Sequence, residues 1–271
     1  MTSEKIVVKS NAVIEASYNL DTIEYNVLHA CIAQIGSTEK IGERTKFVLH
    51  ATDYAMLTGT SKNEAYARLK EAASRLFERK IYLHDANRQS DYLVTRWVSG
   101  IRYIASTGTI SLTFAPDILP YLSQIKSNFT KYELANVSKM RSIYAIRLYE
   151  WLMQWRTTQS LQISLADYRQ RLGVNNKYRS IKDLKFRTLK PALKWINDTS
   201  DIIVDWDQKK SGRMVTHFIF NWTYKYQKPC KKSANKVTTL EAYAALYPEK
   251  TKGKSRNEVV KMMNNELNKD T

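Results

Sequence analysis

The sequence predicts an α+β chain: two tandem winged-helix (helix-turn-helix) domains related by internal duplication, followed by a basic C-terminal tail. Three observations predict it. Hydrophobic patterning runs twice through one series of elements (helix, strand, short helix, long helix, two strands), the plan of a helix-turn-helix closed by a small sheet. Residues agree at corresponding places: Asp53, Tyr54 and Gly59 match Asp167, Tyr168 and Gly173 at a spacing of 114, and Leu69, Lys70, Ala72 and Leu76 match Leu189, Lys190, Ala192 and Ile196 at 120. Self-similarity in a shared order is the mark of a repeat. In the second series, finally, the long helix sets a basic face against an apolar stripe, as a DNA-reading helix does.

In the first series, residues 21–35 read as a helix, with Asp21 as N-cap, Glu24 completing a capping box and Gly36 as the stop. A short strand at 47–50 and a short helix at 52–57, ended by Gly59, lead to a long helix at 62–78. Strand signals follow at 81–83, 92–104 and 109–114, and Pro116 and Pro120 then permit only short helical pieces. The second series has a helix at 140–155, a strand at 161–164 and a short helix at 166–172 stopped by Gly173. Its long helix is expected at 177–197, with a kink or restart at Pro191, before strands at 201–206 and 214–222 joined by 207–213. The expected domains are residues 1–128, residues 129–227 and a mobile tail, 228–271, with helical potential at 239–246 and 255–267.

Composition narrows the function. The chain has 271 residues, 43% apolar, and a formal charge of +17, which points to a polyanionic partner. Nucleic acid fits better than a membrane, because the basic residues lie on several elements rather than on one amphipathic anchor. The first ten residues hold no signal-peptide run, and Arg147, Glu150 and Gln154 interrupt the most apolar helix, so a soluble cytoplasmic protein is expected. Cys31 and Cys230 make neither a disulfide framework nor a thiolate metal site. There is no phosphate-binding G-x-x-x-x-G-K-[ST] loop, and His29, His50, His84 and His217 form no His-x-His pair. No catalytic residue, metal or cofactor is therefore expected.

The candidate DNA-binding residues follow from position. Lys182, Asp183, Lys185, Arg187 and Lys190 lie near the start of the second long helix, where base contacts are made. Arg187 is the first choice for bidentate contact with guanine. Asp183 has two readings, acceptor from a cytosine amino group or helix-N-terminal acid favoured by the dipole. Lys185 projects to the packing side by helical count. Arg179 and Ser180 are placed on phosphate, and Lys209, Lys210 and Arg213 form a basic wing. In the first domain, Ser61, Lys62, Asn63, Tyr66, Arg68 and Lys70 are the counterparts, with Glu64 and Glu71 pointing to weaker, backbone-directed contact. Arg147 and Glu150, three apart, read as a local ion pair shaping a domain interface, and Tyr149, Trp151 and Trp155 as packing.

Three stretches carry a family resemblance: Ile6-Val7-Val8-Lys9-Ser10-Asn11 with Ile14, Ala16, Tyr18 and Leu20; Phe129-Thr130, Tyr132 and Leu134 followed by Ser142, Tyr144-Ala145 and Arg147-Leu148-Tyr149-Glu150; and Leu189-Lys190-Pro191-Ala192 with Ile196-Asn197. Over residues 6–226 the chain resembles the iteron-binding replication initiators of theta-replicating plasmids, the RepA/RepE-like family. The resemblance implies two winged-helix domains and binding to directly repeated origin sites. It also implies origin opening with the host initiator ATPase, loading of the host replicative helicase, and a monomer–dimer equilibrium in which the dimer represses its own promoter. A sheet face at 92–114 is a candidate dimer surface. The alternatives are a winged-helix transcriptional regulator without a replication role and, against the histidine pattern, a rolling-circle nicking enzyme.

Overall fold

Polar caps and apolar stripes divide the chain much as expected. The computed structural model describes residues 5–36, 41–85 and 88–225, all within one compact unit; the expected tail and its two helical stretches lie outside the described residues. β1 (Ile6–Ser10) leads into α1 (Asn11–Glu15), capped by the Ser10 hydroxyl, and β2 (Ser17–Tyr18) follows. α2 (Thr22–Ile32) opens on a capping box: Asp21 accepts from the Ile23 and Glu24 N–H at 2.8 Å, and Glu24 accepts from the Asp21 N–H at 2.9 Å. β3 (Phe47–His50), α3 (Ala51–Thr58) and α4 (Lys62–Glu78) come next, and Gly59 ends α3 in the left-handed region, φ 72°.

Residues 92–104, expected as one strand, belong to two sheets. β4 (Lys80–Asp85) pairs with β5 (Arg88–Arg96), whereas β6 (Val98–Ile104) pairs with β7 (Thr109–Phe114). The chain changes sheet at the fully buried Trp97, whose ring lies 5.0 Å from that of Tyr18. Pro116–Tyr121 is a short 3-10 helix, in keeping with the short helical pieces that Pro116 and Pro120 permit.

The second copy starts over with β8 (Phe129–Glu133), α5 (Leu134–Ser138) and α6 (Ile143–Gln154), then β9 (Ser160–Ser164) and α7 (Leu165–Arg171). The long helix is α8 (Ile181–Leu184), a π turn (Lys185–Leu189) and α9 (Lys190–Thr199), followed by β10 (Ile202–Ser211) and β11 (Met214–Tyr224). The two main sheets have one layout. β7 lies between β3 and β6, and β11 lies between β9 and β10. An extra sheet, β2-β4-β5, is confined to the first copy.

The copies meet along β1, β8 and α6. The strands that open each copy pair antiparallel, from Ile6 opposite Glu133 to Ser10 opposite Phe129, and matching bonds close both ends, Asn11 N–H to Asn128 O at 2.7 Å and Leu134 N–H to Lys5 O at 2.8 Å. Residues 145–153 of α6 are buried all round, because the helix packs on its own copy and on the other. Its polar groups reach into the first copy: Arg147 donates to the Tyr18 hydroxyl at 2.6 Å and to Ala16 O at 2.7 Å, and Trp151 Nε1 donates to Ile14 O at 3.1 Å.

Beside them sits a fully buried charge cluster. Glu150 Oε1 accepts from Lys9 Nζ and from the Tyr132 hydroxyl (2.6 Å), Lys9 donates to His29 Nε2 at 3.1 Å, and Arg147 approaches the other Glu150 oxygen to 3.6 Å. Burial, and next the Lys9 charge, push the His29 imidazole down to about 4. Burial by itself raises Glu150, but the Lys9, His29 and Arg147 charges outweigh it and hold its carboxyl well below the usual range. The expected Arg147–Glu150 pair is thus part of a larger network. Tyr149 and Trp151 are buried as expected, while Trp155, at the end of the helix, is exposed.

Candidate nucleic-acid interface

The recognition element begins at Ile181, four residues after the expected 177. Arg169 of α7 fastens the preceding turn, donating to the carbonyls of Lys177 (2.9 Å), Tyr178 (2.8 Å) and Arg179 (3.3 Å). Tyr178 accepts the left-handed conformation there, φ 53°. Ser180 then caps α8: its hydroxyl accepts from the Asp183 N–H at 3.0 Å and donates to the Asp183 carboxylate at 2.8 Å. Asp183 therefore serves the helix start in this structure, the second of its two readings. Arg179 and Ser180 are both exposed at the mouth of the helix.

The kink expected at Pro191 takes the form of a widened turn. The Lys190 N–H bonds to Lys185 O, five residues back, and the proline follows at once. A wider turn relieves the proline ring's clash with the carbonyl four residues earlier and copes with its missing N–H. It also holds one extra residue. The caps Ser61 and Ser180 are 119 residues apart, and the buried Leu69 and Leu189 are 120 apart. The additional side chain is accommodated by Thr188, fully buried, whose hydroxyl donates to Leu184 O at 2.7 Å and lies 3.1 Å from the Tyr168 hydroxyl. Leu184 and Leu189 point inward with it, and Lys182, Asp183, Phe186, Arg187 and Lys190 are exposed.

The wing is longer than the sequence suggested. Residues 207–211, read as part of a loop, continue β10, Ser211 pairs with Met214, and the turn is only Gly212-Arg213, with Gly212 at φ 59°. Lys209, Lys210 and Arg213 are exposed along it. Lys185 bridges helix and wing. It is half-buried, donates to the Gln208 side chain and lies 5.4 Å from the Trp206 ring. In this structure the neighbouring strand takes up the Lys185 ammonium, on the packing side that helical count gave it. Burial first, and then the Lys210 and Lys190 charges, hold Lys185 below the usual lysine value. Among the described residues no acid forms an ion pair with Lys182, Lys185, Arg187, Lys190, Lys209, Lys210 or Arg213.

The first copy is arranged differently. Ser61 caps α4, its hydroxyl accepting from the Glu64 N–H at 3.4 Å. The side chains of Lys62 and Asn63 lie outside what is described. Tyr66 is half-buried against the core, which leaves it little surface for DNA. Arg68 pairs with Glu64 at 3.3 Å, and Lys70 lies 5.8 Å from the Tyr103 ring of β6. Further along, Arg75 pairs with Asp21, Glu24 and Glu71, and Arg79 with Glu24. The tip of this wing, Ala105–Thr107, is uncharged. The sequence reading missed Arg169, Thr188 and Phe186. An exposed Phe inside a basic face was a usable signal, whereas the targets of Arg169 are backbone carbonyls that no pattern reveals.

Among the described residues no helix is long and apolar enough to cross a membrane, and no group of three His, Cys, Asp or Glu side chains is placed to hold a metal ion.

Comparisons with known proteins agree with this frame. The family described as "Initiator Replication protein, WH1" matches residues 6–153, and that described as "Initiator Rep protein, WH2" matches residues 164–222. A "Replication initiation protein" of Escherichia coli is 29% identical over 227 residues, covering 80% of this chain and 69% of its own. An "Uncharacterized 27.6 kDa protein" of Escherichia coli is 25% identical over 230 residues, covering 81% and 96%. The fold is also that of the Pi initiator protein, solved as a crystal structure in complex with iteron DNA, with TM-score 0.72, 22% identity and coverage of 83% of this chain and 99% of that one.

Proposed function

Because the chain belongs to the family of initiator replication proteins with two winged-helix domains, we propose that it binds directly repeated double-stranded sites, iterons, at a plasmid origin and starts replication there without a catalytic step of its own. The observation that carries the reading is the set of exposed cations on a helix and on the wing strand it packs against, Lys182, Arg187 and Lys190 with Lys209, Lys210 and Arg213, and no acid is paired to them among the described residues. Unpaired like charges gathered on neighbouring elements repel in isolation and are favourable against a row of phosphates. In this reading residues 181–190 enter the major groove with Arg187 on guanine, Lys182 and Lys190 at its edges, and Arg179, Lys209, Lys210 and Arg213 on the flanking backbone. The first copy adds backbone contacts from Lys62, Asn63 and Lys70.

Residues 1–128 and 129–227 are the two DNA-binding domains, a division supported by the matching of β1 with β8. Origin opening, delivery of the host helicase with the initiator ATPase, autorepression as a dimer and a cytoplasmic location rest on the family resemblance. Tyr92 and Val94 of β5 and Tyr103 of β6, all exposed, support a self-association surface on the first copy. DNase footprinting over the DNA around the gene tests the reading. Several protected direct repeats are expected. Protection of one inverted repeat alone favours a simple regulator, and no protection removes the proposal.

A further inference from the structure

We propose that Phe186 reads a thymine through its 5-methyl group, beside the base pair that Arg187 contacts. The inference rests on residues 181–190 being the major-groove element. Leu184, Leu189, Ala192 and Ile196, apolar residues of this helix's inner face, are fully buried, but Phe186 is 62% exposed. It stands within the basic face: Lys182 is one turn before it, Lys190 one turn after, and the Arg187 guanidinium lies 5.7 Å from its ring centroid. The only methyl group on a base edge in the major groove is that of thymine, and an aromatic ring is one of the side chains that packs on it. A phenyl ring loses little rotational freedom on docking, and its face also steadies the guanidinium beside it.

The two copies differ at this place. Counted from the caps, Phe186 corresponds to Ala67 on α4, also exposed. The first copy therefore offers a methyl group where the second offers a ring that reaches several ångströms further. The π turn sets this presentation. It absorbs the extra residue at Thr188, so Phe186 and Arg187 keep the register of the cap while Leu189 keeps the register of the core.

Site selection supplies the DNA for the test. Full-length protein selects a binding site from a random duplex library, and each thymine of that site is then replaced singly by uracil, which pairs alike and lacks only the methyl. The wild type is expected to lose roughly three- to tenfold affinity at one thymine. Phe186→Ala is expected to bind the thymine and uracil duplexes equally at that position while keeping its response to base changes elsewhere, and Phe186→Leu to retain part of the preference. The proposal fails if the wild type is indifferent to every replacement, or if Phe186→Ala keeps the wild-type penalty. A library that yields no enriched site removes sequence-specific DNA binding itself, and the role of Phe186 with it.

Discussion

α4 and the α8–α9 element start from the same kind of serine cap, pack the same Leu, Ala and Leu/Ile positions inward, and lie against sheets of one topology. Their outer faces have diverged. On α4, Arg68 is held by Glu64 and Arg75 by Asp21, Glu24 and Glu71, so much of the positive charge is already neutralised within the protein. On the second element and its wing, Lys182, Arg187, Lys190, Lys209, Lys210 and Arg213 are exposed and no acid among the described residues pairs with them. Sharing a fold therefore does not mean sharing a load. The copy whose charges stay unpaired is the one suited to release counterions from a phosphate backbone, and the other is suited to position it.

The largest expected effect comes from breaking the seam that holds the copies to each other. Glu150→Ala leaves Lys9 buried without its counter-ion and is expected to cost about 3–5 kcal/mol in urea unfolding. Pairing it with Lys9→Met removes the stranded charge and is expected to recover a substantial part. If Glu150→Ala costs less than ~1 kcal/mol, the cluster does not join the copies.

The same seam should respond to acid. His29 binds its proton at about 4 when folded and near 6.5 when unfolded, so the unfolded state takes up the proton first and stability falls as pH drops through that window. About 2 kcal/mol should be lost between pH 7 and pH 5. Glu150, depressed in the fold, adds a further loss only below the ordinary carboxylate range. Urea midpoints of His29→Gln are expected to be flat between pH 7 and pH 5. A wild type equally flat there contradicts the buried, neutral imidazole.

Next come the recognition faces. Arg187→Ala should lose about 1–3 kcal/mol on the selected site and relax the base choice at one position. Arg68→Ala, the counterpart on α4, should lose under about 0.5 kcal/mol, because Glu64 already occupies its charge. Equal losses in binding titrations would erase the difference between the copies. The smallest effect is on the wing: Lys210→Ala should weaken all sequences alike and reduce the slope of log K against log salt by about 1. A change that depends on sequence places Lys210 on bases instead.

What the sequence determined by itself is what depends on neighbours a few residues away. The capping box at Asp21 and Glu24, the glycine stops at Gly59 and Gly173, the span of α4 and the repeated order of elements were all legible, because caps and helical periodicity are local. Even Pro191 announced its distortion, since a proline's missing N–H acts within one turn. Tertiary structure decided the rest. Lys9 and Glu150 lie 141 residues apart in the chain, and only the pairing of β1 with β8 against α6 brings them together. Trp97 became a switch between two sheets because two separate layers needed the chain there. Lys185 turned inward because β10 runs past it, and the extra residue of the second copy was absorbed as a π turn with Thr188 against Tyr168, so that the core and the groove-facing side each kept their register. In each case the deciding partner is distant in sequence, and burial away from water is what makes its position matter.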